Sequence, residues 1–234
     1  MTTSYDLRIS PKARNVYLRF SIQGGLQVVV PRGYNLTRIP QLLERKKKWI
    51  ERTERRLTEY RNKLQTEPIE KLPPQILLTA LGETWSVQYV ETESRLLRLQ
   101  EGENRTLTLS GNIKSELACK RALRKWLCRR GCESLVPWLR CVSQETNLLF
   151  EKASVRIQRS RWGSCSRRKT ISLNAKLLFL RADLVRYLFI HELCHLVHMN
   201  HSPRYWQFVA IKEPNYKLLD SEMRNAMRLI PHWV

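Results

Sequence analysis

Along this chain the apolar positions switch repeatedly between a two-residue and a 3.6-residue period, and each switch marks an element. Val16 to Phe20 and Leu26 to Val30 read as short strands joined across Gly24-Gly25, a hairpin signal, and Pro31-Arg32-Gly33 ends the second run. Thr37 is placed to cap a helix, with Pro40 in its first turn, where a missing N–H costs nothing. From Gln41 to about Gln65, Leu42, Trp49, Ile50, Leu57 and Leu64 form an apolar stripe on an otherwise charged helix.

Pro68, Pro73 and Pro74 mark a connector. Strands are then expected over Gln75 to Leu81, Thr84 to Glu91 and Leu96 to Leu109, the last broken by a turn at Gly102. After Ser110-Gly111-Asn112 a helical tract runs from about Ser115 to Arg130 and resumes from Ser134 to about Asn147. Val155, Ile157 and Arg159 alternate with Arg156 and Gln158 as in a half-buried strand. Trp162 to Ser166 breaks the pattern, and Thr170 to Asn174 is the next strand. A strongly apolar helix follows from Ala182 to Met199, with Asp183 favourable at its start. Further helices cover Pro203 to Ala210 and Tyr216 to Leu229.

Composition narrows the class. With 234 residues and 42% hydrophobic side chains, the chain can bury a real core. No apolar run approaches membrane-spanning length, and the first residues lack the pattern of a signal peptide, so a cytoplasmic protein with no membrane partner is expected. None of the six cysteines forms a close CxxC pair, which fits reduced, packed thiols. The formal net charge of +21 attracts nucleic acid, nucleotides or anionic protein surfaces. Residues 152–182 alone hold nine basic side chains and no acidic one.

The chemistry concentrates in His191-Glu192-Leu193-Cys194-His195. On a helix, His191 and His195 lie one turn apart and face one ion, while Glu192 sits where it can polarise a metal-bound water. A catalytic zinc takes three protein ligands and keeps one position for water. His201 is favoured as the third ligand over His198. On a continuing helix His198 would stand about 10.5 Å along the axis from His191, whereas the chain can turn back beyond Asn200. His198 then supports the ligands, faces substrate or simply packs. The rival reading, two structural histidines, must explain a glutamate buried beside them without a charged partner. Glu192 is the general-base candidate, and Arg159, Arg161, Arg204 and Tyr205 are candidate donors to a developing oxyanion.

Four segments together resemble the YgjP-like metal-dependent hydrolases, zincin-like proteins with a DUF45-type domain and distant kin of SprT-like metallopeptidases. They are Arg161-Trp162-Gly163-Ser164-Cys165-Ser166, Ile171-Ser172-Leu173-Asn174, the His191–His195 motif, and Asn200-His201-Ser202-Pro203-Arg204-Tyr205-Trp206. The resemblance implies an α+β, zincin-like fold, with an N-terminal hairpin, long helix and small sheet over 1–110 and a catalytic region over 111–234. It implies zinc as cofactor, with His191, His195 and His201 as ligands and Glu192 as the catalytic glutamate. Trp162, Gly163 and Ser164 match a family turn beside the cleft, and Asn174 a group that supports the site.

The bond broken is left open by the family. Peptide hydrolysis is the first reading, because a helical HExxH with a distal histidine is the commonest frame for it. A nucleoside triphosphate (UTP) pyrophosphatase is the alternative, although no P-loop cradle appears. A third class is a nucleic-acid-associated binding protein using the basic surface.

Overall fold

The two periodicities become strands and helices in the computed structural model, which describes residues 4–21, 25–66 and 72–234. Its contacts divide the chain into Met1–Ile69 and Glu70–Val234. The strands from residue 75 onward, grouped by sequence with the N-terminal region, share a core with the helices that follow.

In the first unit, β1 (Tyr5–Ile9), β2 (Tyr17–Ser21) and β3 (Gly25–Val30) form a sheet ordered β1-β3-β2. β1 runs parallel to β3, and β2 antiparallel. No strand was expected at β1, although Tyr5, Leu7 and Ile9 alternate with Asp6 and Arg8; all three apolar side chains are exposed. Val28 and Val30 close a small core with Ile39. Thr37 does not cap the helix: it lies in a 3-10 turn, Leu36–Arg38, that Asn35 caps, its Oδ1 accepting from Thr37 N at 3.0 Å, and the helix that follows has no side-chain cap. The expected single helix is two, α1 (Ile39–Arg45) and α2 (Lys47–Thr66), parted at Lys46. Ile50 is buried, whereas Trp49 is 43% exposed beside the Phe20 ring. Gly24 and Pro68 lie outside the described residues, as do the side chains of Leu57 and Leu64.

The second unit begins with β4 (Gln75–Leu78), β5 (Glu83–Glu91), β6 (Arg98–Gly102) and β7 (Thr106–Gly111), ordered β4-β5-β7-β6. Trp85, Val87, Leu107 and Leu109 point to one face of this sheet. They join the core of α3 (Glu116–Thr146), where Trp85 meets Trp126 edge-on at 5.2 Å. The break expected between Arg130 and Ser134 does not exist: α3 is one 31-residue helix that passes through Pro137. Gly131 is there for closeness, since a Cβ would stand 2.9 Å from Val155 Cγ1 on the neighbouring strand.

That strand is β8 (Lys152–Arg156), followed by β9 (Gly163–Cys165) and β10 (Thr170–Asn174), ordered β8-β10-β9. β8 ends three residues earlier than its alternation predicts, because the Asn174 side chain draws the following backbone away from the ladder. Beneath lie α4 (Ala182–Cys194), α5 (Pro203–Lys212) and α6 (Tyr216–Asn225). α4 is apolar almost all round, and Leu184, Val185, Leu188, Phe189, Ile190 and Leu193 are all buried, each contributing roughly 1.5–3 kcal/mol. No helix among the described residues is long and apolar enough to cross a membrane.

Two ion pairs tie the first sheet of this unit to α3, Glu101 with Arg129 and the more buried Glu83 with Arg130. Glu83 is buried, accepts from Trp85 Nε1 at 2.9 Å and pairs with Arg130. Burial alone would raise its pKa, but the Arg130 and Trp85 hydrogen bonds outweigh that and hold it below the ordinary value. A carboxylate so depressed stabilises the fold above its unfolded pKa and loses that contribution as pH falls through the folded value. Glu83→Gln is expected to lower unfolding free energy by about 2 kcal/mol at pH 7. Urea titrations at falling pH should show the gap to wild type narrowing below the ordinary glutamate range; a constant gap would assign the loss to packing.

Candidate metal centre

α4 ends at the site rather than passing through it. The helix was expected to reach Met199 but stops at Cys194, with His195 (φ −67°, ψ −14°) as its last turn-forming residue. Leu196 N bonds to Leu193 O and His198 N to Cys194 O, forming a tight turn. Leu196 and Val197 prolong the apolar pattern past the end of the helix, which is why the sequence overstates its length. The chain then reverses, and Ser202 caps α5 by accepting from Tyr205 N at 3.4 Å, with Pro203 in the first turn. His201 stands immediately before that cap and is carried back over α4.

This reversal gathers His191, His195 and His201, whose ligand atoms all lie within 4.8 Å of one another. The Nε2 atoms of His191 and His201 are 3.1 Å apart, close to the roughly 3.3 Å between ligands about 2 Å from a tetrahedral ion. His195 Nδ1 lies 2.9 Å from His198 O. A carbonyl only accepts, so that nitrogen carries the proton and leaves Nε2 with a free lone pair. His198 thus serves through its backbone, while its ring packs edge-on against Phe208 at 5.7 Å. His201 is in the cluster and His198 outside it, but the cause is the early end of α4, not axial rise along a continuing helix.

Tyr205 is the keystone of the cluster. It is fully buried, stacks on His195 at 4.6 Å and 20°, and meets the His201 ring at 4.8 Å. Its hydroxyl donates to the backbone carbonyl of His191 at 3.0 Å. That bond occupies the hydroxyl expected to face a substrate oxyanion, and makes Tyr205 a scaffold instead.

Glu192 is 4% exposed, and its Oε2 has no hydrogen-bond partner among the described residues. Gly163 of β9 lies flush against it, since a Cβ there would come within 2.6 Å of Glu192 Oε1. Burial pushes the Glu192 carboxyl up to about 8, with the Arg161 charge pulling the other way. Burial, with His195 and His201 alongside, pushes His191 down to about 4, and burial lowers His195 too. Neutral imidazoles are the protonation state a metal requires, and the unpartnered carboxylate oxygen is a polar atom awaiting one. The donor set fits a divalent ion.

β9 is held in place by Asn174, which is wholly buried at the end of β10. Asn174 Nδ2 donates to Gln158 O (3.0 Å) and Arg161 O (2.8 Å), and its backbone N donates to Trp162 O at 2.8 Å. Among the described residues Asn174 makes no hydrogen bond to a histidine; it fixes the loop that carries Arg161, Trp162 and Gly163. β9 pairs with β10 on one side only. Hydrogen bonds from Asn174 N to Trp162 O and Ser166 N to Thr170 O set the alternation, so Ser164 bonds toward β10 while the peptide groups of Gly163 and Cys165 face away. Arg159, Arg161 and Arg204 are exposed.

A cleft of about 330 Å³ opens over Glu192 and His191, lined also by Trp162, Gly163, Tyr187, Leu188, Asp220, Met223, Arg224 and Met227. Trp162 is pinned there, its Nε1 donating to Met223 O at 3.2 Å. Asp220, which accepts from Tyr187 at 3.0 Å and pairs with Arg224, escaped the sequence reading. It lies on α6, far from the motif in sequence, and only the packing of α6 on α4 brings it to the cleft.

A cluster of three imidazoles, with His191 and a buried glutamate opening on one cleft, is the equipment of a metal-dependent hydrolase. Residues 14–226 match the family model described as YgjP-like, metallopeptidase domain, and the chain belongs to that family. Among solved structures the chain is similar to the crystal structure of abylysin, the metallopeptidase zymogen of Pyrococcus abyssi. That similarity is 21% identity with a TM-score of 0.36, covering 40% of this chain and 95% of the other. No curated protein matches.

Two measurements test the site. His201→Ala is expected to abolish stoichiometric metal uptake, read by elemental analysis, while His198→Ala retains it because the backbone carbonyl survives; the reverse order would reassign the third ligand. In metal-free protein, a glutamate whose folded pKa lies above its unfolded value destabilises the fold as pH rises from the ordinary range toward 8. Metal-free Glu192→Gln should therefore be more stable than metal-free wild type at pH 7 by roughly 3 kcal/mol. The advantage should fade toward pH 4, and an equal Tm at both pH values would contradict the burial cost assigned to Glu192.

Proposed function

We propose that this chain is a zinc-dependent peptidase, with His191, His195 and His201 holding the ion, Glu192 as general base, and an extended polypeptide as substrate. The observation that carries this reading is the buried, unpartnered Glu192 oxygen, one residue from a ligand histidine and opening on the same cleft. When bound, zinc supplies a Lewis acid that polarises the scissile carbonyl and makes the attacking water more acidic. Glu192 takes the proton of that water as its oxygen bonds to the carbonyl carbon, and returns the proton to the amine nitrogen as the C–N bond breaks. Its place beside His191 on the cleft lets one carboxylate serve both halves of this transfer. Tyr205 and the His198 carbonyl keep the imidazoles aimed, and Asn174 keeps β9 against Glu192. The outward peptide groups of Gly163 and Cys165 offer an extended segment a backbone ladder beside the cleft.

Glu192→Gln is expected to retain zinc and lose about a thousandfold in turnover of an unstructured protein substrate. Cleavage read by mass spectrometry, with nucleoside triphosphates assayed in parallel, tests both the residue and the bond. Unchanged proteolysis in the variant would remove Glu192 as the base, and phosphate release without peptide cleavage would overturn the peptidase reading.

A further inference from the structure

Beyond the residues around the metal centre, one surface has a definite chemical character. Arg159 and Arg161 precede β9, and Arg167, Arg168 and Lys169 follow it, all five exposed. None of the five takes part in an ion pair among the described residues; Arg181 is the basic residue of this stretch that does, with Asp183 and Glu222. Both ends are rigid. Asn174 clamps the backbone of Gln158 and Arg161. At the other end Lys169 N bonds to Ser166 O at 3.0 Å, and Thr170 N to Ser166 Oγ at 3.2 Å. Between them β9 offers three extended residues, Gly163–Cys165, roughly 10 Å of backbone for a peptide to pair with.

We propose that this basic frame around β9 selects acidic polypeptide segments, a substrate preference that rests on the peptidase reading for its choice of β9 as the docking edge. A chain lying along the outward peptide groups of Gly163 and Cys165 brings its own side chains to fixed, unneutralised cations at both ends. The acidic groups of the cleft do not cancel this field. Glu192 is buried, and Asp220 is paired with Arg224. Nucleic acid suits the frame less well. Single strands need exposed aromatic faces for stacking, and Trp162, the one aromatic side chain between Arg156 and Thr170, is half-buried and held by Met223 O.

The test uses the full chain, zinc-loaded, carrying Glu192→Gln so that substrate is bound but not consumed. Fluorescence anisotropy compares a peptide of about twelve residues rich in glutamate with its glutamine counterpart, and with single- and double-stranded oligonucleotides. The acidic peptide is expected to bind about tenfold tighter than the neutral one at low salt. That ratio should shrink as salt rises, and both Arg159→Gln/Arg161→Gln and Arg167→Gln/Arg168→Gln should reduce it. Equal affinity for the two peptides would overturn the proposal, as would oligonucleotide binding that is tighter and displaces the acidic peptide. Hydrolysis by wild type separates the two readings. Acidic peptide held in this way but never cut would sink the peptidase reading alone, whereas neutral and acidic peptides cut at equal rates would sink the acidic preference alone.

Discussion

The contact between the Gly163 backbone and the Glu192 side chain is the constraint on which the site rests. β9 approaches α4 so closely that no Cβ fits between them, and this approach both buries the carboxylate and shapes the cleft above it. Raising the Glu192 carboxyl to about 8 corresponds to roughly 5 kcal/mol against the ionised form. Two or three of the buried apolar residues of α4 offset that amount. The unusually apolar helix and the costly glutamate within it are therefore two sides of one balance, and a divalent ion beside the carboxylate removes the cost.

A second constraint is the end of α4. Had the helix run on to Met199, His201 would have been carried away from His191 and His195. The turn at 195–198 costs the helix a turn of backbone bonds but turns the His198 carbonyl onto His195 Nδ1, and the capped start of α5 sets His201. Tyr205, in the first turn of α5, then meets all three imidazoles with its ring. The three histidines are thus positioned by two helix ends and one buried aromatic, all within fifteen residues of sequence.

This locality explains why the centre was readable before the fold was. His191, Glu192 and His195 follow from helical spacing, and His201 from the need to turn after Asn200; the structure brings the three histidines together. What failed to read were features set by packing. Helix α4 looked longer because Leu196 and Val197 continue the apolar period, and α3 looked broken because Gly131 resembles a terminator when it serves the approach of Val155. Tyr205 offered a donor by type, but burial and the His191 carbonyl gave its hydroxyl another partner. Asp220 gave no local signal at all. The strand β1 did carry one, in the alternation of Tyr5, Leu7 and Ile9, and was passed over because its apolar side chains are too few to stand out.

A net charge of +21 on a protein that must hold a dication looks self-defeating, and the resolution lies in where the charges sit. The arginines around β9 are exposed, so water and salt screen their fields within about 8 Å at physiological ionic strength. Glu192 is buried, so its field on an adjacent ion is screened far less. One carboxylate in a low-dielectric pocket can outweigh several guanidinium groups in water, and metal affinity is decoupled from surface charge. The same asymmetry leaves the surface free to be basic. The chain can attract an anionic partner over long distances at low salt while the histidine cluster and its shielded glutamate lie beneath.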